Sequence, residues 1–345
     1  MSAAIASLED APLTNAGTGS ALNLNGQVEC DASVMDDQGT FAAIAAAPGI
    51  KNPIVAATRL AVDSKNPLSN GRVRPIILAG DQARKWALQN GLEAAETSQE
   101  VDLMHVTKKA RQQHHRYKNI IQSTPHHPDT HVNGPEIEDS SRLQDTVGCV
   151  VVNSDGRCAA GVSSGGIPLK FPGRVGEAAV YGAGCWAQGV KKVKGVNGVT
   201  GVKGVSGVGV SVTGQGECII RNLVARDVAD LLCSTTTATS TARGTEECCI
   251  KYLEETLSDV APPRECGILS VVVVEEHKPS PRVATVVASH YACRSMAVGV
   301  RGMGWCSGAE GAQKSTTQIT MMRGNGVRGG EEHKAQTFSY SLQIG

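Results

Sequence analysis

The stretch from Leu143 to Glu177 constrains the fold of this chain most. Thr146 opens an apolar run that ends at Val152, Asn153-Ser154-Asp155-Gly156 makes a turn, and a second run ends at Ser163-Ser164-Gly165-Gly166. Two β-branched runs joined by a glycine-containing turn predict a hairpin whose first strand begins at Thr146. Asp145 stands directly before that strand. If the chain opens between Asp145 and Thr146, one residue carries a hydroxyl and a free α-amine, and a terminal threonine of that kind is its own nucleophile and base. An ordinary α-amine, with a pKa of about 7.7–8.0, accepts a proton close to neutrality. The dipeptide alone says little, because Asp129-Thr130 repeats it.

The flanking residues say more. Ser164-Gly165-Gly166 follows Thr146 after eighteen residues, then come Arg174-Val175-Gly176-Glu177, Tyr181-Gly182-Ala183-Gly184-Cys185-Trp186 and Ser211-Val212-Thr213-Gly214-Gln215-Gly216-Glu217. Upstream stand Leu8-Glu9-Asp10-Ala11-Pro12-Leu13-Thr14-Asn15-Ala16-Gly17-Thr18-Gly19-Ser20, Val28-Glu29-Cys30-Asp31-Ala32-Ser33-Val34-Met35-Asp36 and Gly49-Ile50-Lys51-Asn52-Pro53. In this order the motifs resemble the plant-type asparaginase superfamily of N-terminal nucleophile hydrolases and, within it, the threonine aspartase (taspase) branch. The resemblance runs with gaps from residue 6 to residue 300.

The resemblance implies an α+β fold, a four-layer αββα sandwich, formed by a single domain over 1–345. It also implies that the family's first strand and most of its first helix are missing ahead of this sequence. Self-cleavage would divide the chain into an α part, 1–145, and a β part, 146–345: the Thr146 hydroxyl attacks the Asp145 carbonyl, and water releases the resulting ester. No cofactor or metal is implied. By the same resemblance Thr146 is the nucleophile, Ser164 holds its amine and rotamer, and Thr213 and Gly214 form the oxyanion site. Asn15, Arg174, Glu177 and Gly216 would bind substrate. A guanidinium can clamp a carboxylate through two parallel hydrogen bonds, so Arg174 implies a preference for aspartate on the acyl side.

The implied activity is that of a threonine endopeptidase cutting protein substrates after aspartate at Asp-Gly-type sites, family substrates being nuclear transcription regulators. Implied partners are the α and β parts themselves, as a heterodimer or a dimer of such units. Small-molecule asparaginases instead carry an aspartate where Glu177 stands, and Thr-Ser-Thr where this chain has Val162-Ser163-Ser164. Two alternatives stay open: an isoaspartyl peptidase or L-asparaginase, and an inactive truncated relic that acts only by binding.

Bulk properties set outer limits. The 345 residues are 41% hydrophobic but only 3% aromatic, so aliphatic side chains must fill the core. Thirty-three basic and thirty-three acidic residues cancel, and global charge implies neither a nucleic-acid nor a membrane partner. Eleven cysteines without a CxxC pair suit reduced thiols in an intracellular protein, and the resemblance implies the nucleus and/or cytoplasm. No apolar run approaches the ~18 residues of a membrane span.

Along the chain, Met1–Glu9 predicts a helix stopped before Pro12, Thr14–Ser20 a tight loop, and Val28–Met35 and Phe41–Ala46 paired strands. Pro53–Val62 and Gly80–Gln89 predict helices, with Gly91 as a helix end. Residues 93–142 read as a flexible basic and His-rich linker. Its run Lys108–Lys118 is either a signal for a nuclear-import receptor or a solvated linker, and the five histidines between His114 and His131 lack the scaffold of a metal site. The Gly-Val run over 190–210 reads as a surface insertion. Glu217–Leu232, with Ile219, Ile220, Leu223, Val224, Val228 and Leu231 on one face, and Glu246–Leu257 predict helices. Gly267–Val274 and Arg282–Ser289 predict paired strands.

Overall fold

The computed structural model describes residues 1–123, 146–189, 204–234, 242–257, 265–275, 282–291, 295–305, 313–323 and 335–344. Asp145, His126, His127, His131 and residues 190–203 lie outside this set.

Helix α1 (Ser2–Glu9) leads into the glycine-containing loop 10–28. Strands β1 (Glu29–Asp36) and β2 (Phe41–Pro48) pair antiparallel around a turn in which Asp36 Oδ1 accepts from the Gln38 and Thr40 N–H groups at 3.0 and 2.9 Å. Helix α2 (Pro53–Ser64) starts on a proline, whose fixed φ suits a first helical turn. The short β3 (Ile77–Ala79) runs parallel to β2 and enters α3 (Gly80–Gln89), after which Gly91 takes φ +70°.

The span expected as a flexible linker holds two helices before residue 124. In α4 (Ser98–Leu103) the Thr97 hydroxyl and the Glu100 carboxylate satisfy each other's backbone N–H, closing a capping box. Helix α5 (Lys108–Ser123) buries Ala110 and His114, and His114 Nε2 lies 3.0 Å from the Asn23 carbonyl. Two residues four apart make a narrow stripe on an otherwise charged helix, so low apolar content hid the docking.

Strands β4 (Val147–Val152) and β5 (Cys158–Ser164) form the expected hairpin, with Asn153 Oδ1 accepting from the Asp155 and Arg157 N–H groups. Strand β5 also pairs with β1, giving a first sheet of order β3-β2-β1-β5-β4. Next come β6 (Cys185–Gly189) and β7 (Gly204–Gly214). Here the expectation of a surface insertion over 190–210 is corrected from residue 204 on: β7 lies inside the second sheet, with Val205, Val208 and Val210 buried. Gly207 is one reason. A Cβ there would stand 3.0 Å from Cys158 Sγ of the first sheet, so the bare backbone lets β7 lie close against it.

The helix expected over 217–232 is broken into α6 (Gly216–Asn222) and α7 (Val224–Ser234), with Leu223 between them at φ +45°. The first N–H groups of α7, on Ala225 and Arg226, bond the Ala183 and Gly182 carbonyls and start a new helix. Leu232 is therefore buried where Leu231 was expected. Helix α8 (Ala242–Leu257) starts before the expected Glu246. Strands β8 (Cys266–Glu275), β9 (Arg282–Tyr291), β10 (Ser295–Trp305), β11 (Gln313–Arg323) and β12 (Gln336–Ile344) follow. The second sheet is antiparallel throughout, in the order β12-β9-β8-β7-β6, while β10 and β11 pair as a separate ribbon.

The fold is mixed α+β with two sheets and helices. Strands β4 and β5 pack on β7, and a core drawn from Val162, Val208, Val210, Ile268 and Val272 lies there. Helices α2 and α3 cover the first sheet through Ile44, Ile54, Leu60 and Ala83, while α7 and α8 pack on the second. Among the described residues no helix is long and apolar enough to cross a membrane.

Candidate active site

The hairpin register places the first pair of residues. Val147 is opposite Ser163, so one residue further back Thr146 stands opposite Ser164. The Thr146 hydroxyl lies 2.9 Å from Ser164 Oγ and 3.1 Å from Glu177 Oε1, directed at both as acceptors. Ser164 Oγ in turn accepts from the Gly166 N–H at 3.1 Å. Asn15 fixes this turn: its Nδ2 donates to the Gly166 carbonyl (2.8 Å), its carbonyl accepts from Gly165 N (2.6 Å), and its Oδ1 accepts from Ala21 N (2.9 Å). Asn15, expected among the substrate-binding residues, thus has both side-chain polar atoms engaged with backbone. It shapes the turn beside Thr146.

A second group ties the loop 165–177 to β1. Asp31 sits where the β1–β2 register shifts and Ala46 adopts φ +42°. Its carboxylate accepts from Ala46 N at 2.7 Å and Gly176 N at 2.9 Å. Buried Lys170 donates from Nζ to the Glu29 carbonyl (2.7 Å), and the Glu29 carboxylate accepts from Gly173 N (3.1 Å). These contacts carry Arg174 and Glu177 to Thr146. Sequence reasoning missed Asp31, Lys170 and Glu217. For Asp31 the available signal was a carboxylate between Cys30 and Ala32 in a strand, since such a group is buried only when paired; Lys170, in a loop, and Glu217, in a helix, carried no comparable signal.

Arg174, expected to clamp a substrate carboxylate, is paired within the protein. Its Nε and Nη2 both donate to Glu217 Oε1, at 2.9 and 2.7 Å, because the first turn of α6 brings that carboxylate alongside. Its Nη1 is buried without a partner among the described residues. Gly216 comes to the same place: a Cβ there would stand 2.7 Å from Arg174 Nη2 and 2.8 Å from Glu177 Oε2. Thr213 and Gly214 end β7 just before it. Gly214 takes φ +137°, and a Cβ would stand 2.2 Å from the Glu265 carbonyl oxygen, so only glycine fits.

The electrostatics follow from burial. Glu177 is pushed up to about 7 by burial, with Asp31 adding to the rise; its own backbone N–H, the Thr146 hydroxyl and Arg174 oppose it. Burial also raises Asp31, against Lys170 and the two N–H donors. Glu217 goes the other way: burial pushes it up, but the Arg174 hydrogen bonds prevail and hold it below the usual range. A buried carboxylate that ionises near neutrality, touching a hydroxyl, can exchange a proton with it.

A family model described as Asparaginase matches residues 1–255. A probable isoaspartyl peptidase/L-asparaginase 2 of Arabidopsis thaliana is 36% identical over 240 residues, covering 66% of this chain and 65% of that protein. An isoaspartyl peptidase of Escherichia coli (strain K12) is 30% identical over 230 residues, covering 66% and 60%. A plant-type L-asparaginase of Pyrobaculum calidifontis is 32% identical over 237 residues, covering 67% and 64%. The chain spans somewhat less than two thirds of the length of these relatives. With the model matching well over half of the sequence, the chain belongs to the family of plant-type asparaginases and isoaspartyl peptidases, within the N-terminal nucleophile hydrolases.

Proposed function

We propose that this chain is a self-activating hydrolase of aspartyl amide bonds, with isoaspartyl peptidase or L-asparaginase chemistry. The carrying observation is Thr146 at the start of β4, its hydroxyl within hydrogen-bond reach of Ser164 and Glu177. The names of the relatives favour a small aspartyl substrate. In this reading the Asp145–Thr146 bond opens, the freed α-amine of Thr146 becomes the base, and its hydroxyl attacks the substrate's aspartyl carbonyl. Arg174 Nη1, buried and without a partner among the described residues, offers one charge-assisted hydrogen bond to a substrate carboxylate. Thr213 and Gly214 supply the oxyanion donors, and Gly216 leaves room for substrate beside Glu177. The packing of helices on the outer faces of the two sheets supports the four-layer αββα arrangement as the frame.

A second reading, the aspartate-specific endopeptidase of the threonine aspartase branch, is favoured by Glu177 itself. Its longer carboxylate reaches the Thr146 hydroxyl and comes within 2.8 Å of a Cβ at Gly216, which takes up space that an aspartate would leave for a substrate amine. Protein substrates and the α–β pairing of fragments belong to this reading, and so does recognition of the basic helix α5 by an import receptor.

One experiment tests both. The purified chain is run on a denaturing gel, the larger fragment is sequenced from its first residue, and the product is offered β-aspartyl dipeptides, asparagine and peptides containing Asp-Gly. A fragment starting at Thr146, absent from Thr146→Ala, together with ammonia or aspartate release supports the first reading. Cleavage of the peptides alone supports the second. An intact chain indistinguishable from Thr146→Ala overturns both.

A further inference from the structure

In the uncut chain the Thr146 nitrogen is an amide, whose lone pair is delocalised into the carbonyl, so it cannot serve as the base that it becomes after cleavage. Self-activation therefore needs a proton acceptor from elsewhere. Thr146 Oγ1 has two acceptors in reach, Ser164 Oγ and Glu177 Oε1, and its single proton goes to one at a time. A serine hydroxyl is a poor base near neutrality; a carboxylate is a competent one. Glu177 is 3% exposed, and Gly176, Asp31, Arg174 and Gly216 enclose it.

We propose, resting on the self-activation reading above, that Glu177 is the general base of the first cut and takes the Thr146 hydroxyl proton while the Thr146 nitrogen is still an amide. The step balances. The Oγ1 proton passes to the Glu177 carboxylate and Oγ1 bonds the carbonyl carbon of residue 145. The adduct collapses as the C–N bond breaks, and Glu177 returns the proton to the departing nitrogen, which becomes the free amine. Water then hydrolyses the ester, leaving a carboxylic acid on residue 145 and restoring the Thr146 hydroxyl. Once the amine exists, it takes over as base, and Glu177 is free to face substrate. The extra methylene relative to aspartate is what carries the carboxylate to Oγ1; an aspartate would end roughly one C–C bond, about 1.5 Å, short.

Four charged groups surround this carboxylate: Asp31 from β1, Arg174 from the loop before it, Glu217 of α6 behind Arg174, and Lys170, which flanks Gly166 together with Arg174. Because burial raises Glu177 to about 7, the uncut chain should activate slowly at pH 5.5, faster through pH 7, and level off above pH 8.

The test is a pulse of cell-free synthesis of the full chain, chased at pH 5–9, with the fraction cut at Thr146 measured over time. The parent should show a rate step centred near pH 7. Glu177→Gln, nearly the same shape, should cut at least about 100-fold more slowly and lose the step, given the 100- to 10,000-fold that a general base supplies. Glu177→Asp should fall between them and keep a step. Thr146→Ala supplies the uncut reference, whose melting temperature at pH 5 Glu177→Gln should match. Glu177→Gln cutting at the parental rate, or a parent without a step, overturns the role of Glu177 and leaves self-activation standing. A parent that stays intact at every pH overturns self-activation and this role together.

Discussion

At the scale of single residues, two buried glutamates share one titration range and do different things. Glu9 is fully buried, accepts from Ser163 Oγ (2.6 Å) and Ile54 N (3.0 Å), and has no partner among the described residues for its other oxygen; burial raises it to about 7. Its folded pKa lies above the unfolded value of 4.5, so the folded chain holds a proton that the unfolded chain releases. Stability from this group is present below pH 4.5 and is lost as pH rises to 7. Glu9→Gln should therefore be close to neutral at pH 4.5 and stabilise by about 1–3 kcal/mol at pH 8, read as a higher melting temperature at pH 8 only. Thr213→Val should lower turnover of the mature enzyme by about 100- to 1,000-fold if its hydroxyl meets the oxyanion, the usual loss for one donor; unchanged turnover removes Thr213 from the site. Thr146 and Ser164 were legible in the sequence because a hairpin fixes its own register over a few residues. Asp31, Lys170 and Glu217 were not, because their partners Gly176, Glu29 and Arg174 lie far from them in sequence.

At the scale of elements, the contact of β4 with β7 depends on missing side chains. A Cβ on Gly148 would stand 2.0 Å from Ser211 Oγ and 3.0 Å from Ser211 Cβ, and Ser211 Oγ already donates to the Gly161 carbonyl at 3.1 Å. Gly148→Ala should cost about 1–3 kcal/mol through overpacking, seen as a lower melting temperature, and adding Ser211→Gly should recover much of it. A Gly148→Ala protein that melts with the parent would show that the two sheets part easily here. The same physics explains the misread end of the Gly-Val run, residues 204–210. Alternating glycine looks like a weak strand when read alone, and becomes a good one only when a second sheet needs the room. Helix α6–α7 shows the complementary case, a continuous apolar period broken because carbonyls at 182–183 capture the N–H groups that start α7.

At the scale of the whole molecule, the proposed cut runs between two parts that share one sheet. Strand β5, after the cut, sits between β1, before it, and β4; the register runs from Asp31↔Ser164 to Asp36↔Ala159. Met35 and Phe41 share a core cluster with Val162, Val208 and Ile268. The fragments 1–145 and 146–345 should thus co-elute as one particle on gel filtration and separate only in denaturant. Separate elution in native buffer would mean that the β1–β5 pairing does not survive the cut.

Local order along the chain determined the hairpin that begins at Thr146, the helices whose apolar period is unbroken, and the motif succession that marks the family, because each depends on residues close together in sequence. Tertiary structure alone decided that Glu177 reaches the Thr146 hydroxyl, that Glu217 occupies two of the Arg174 donors, and that a glycine-rich run becomes a buried strand. These depend on which distant backbone segments come within a hydrogen bond of one another, and that distance is written only in the folded chain.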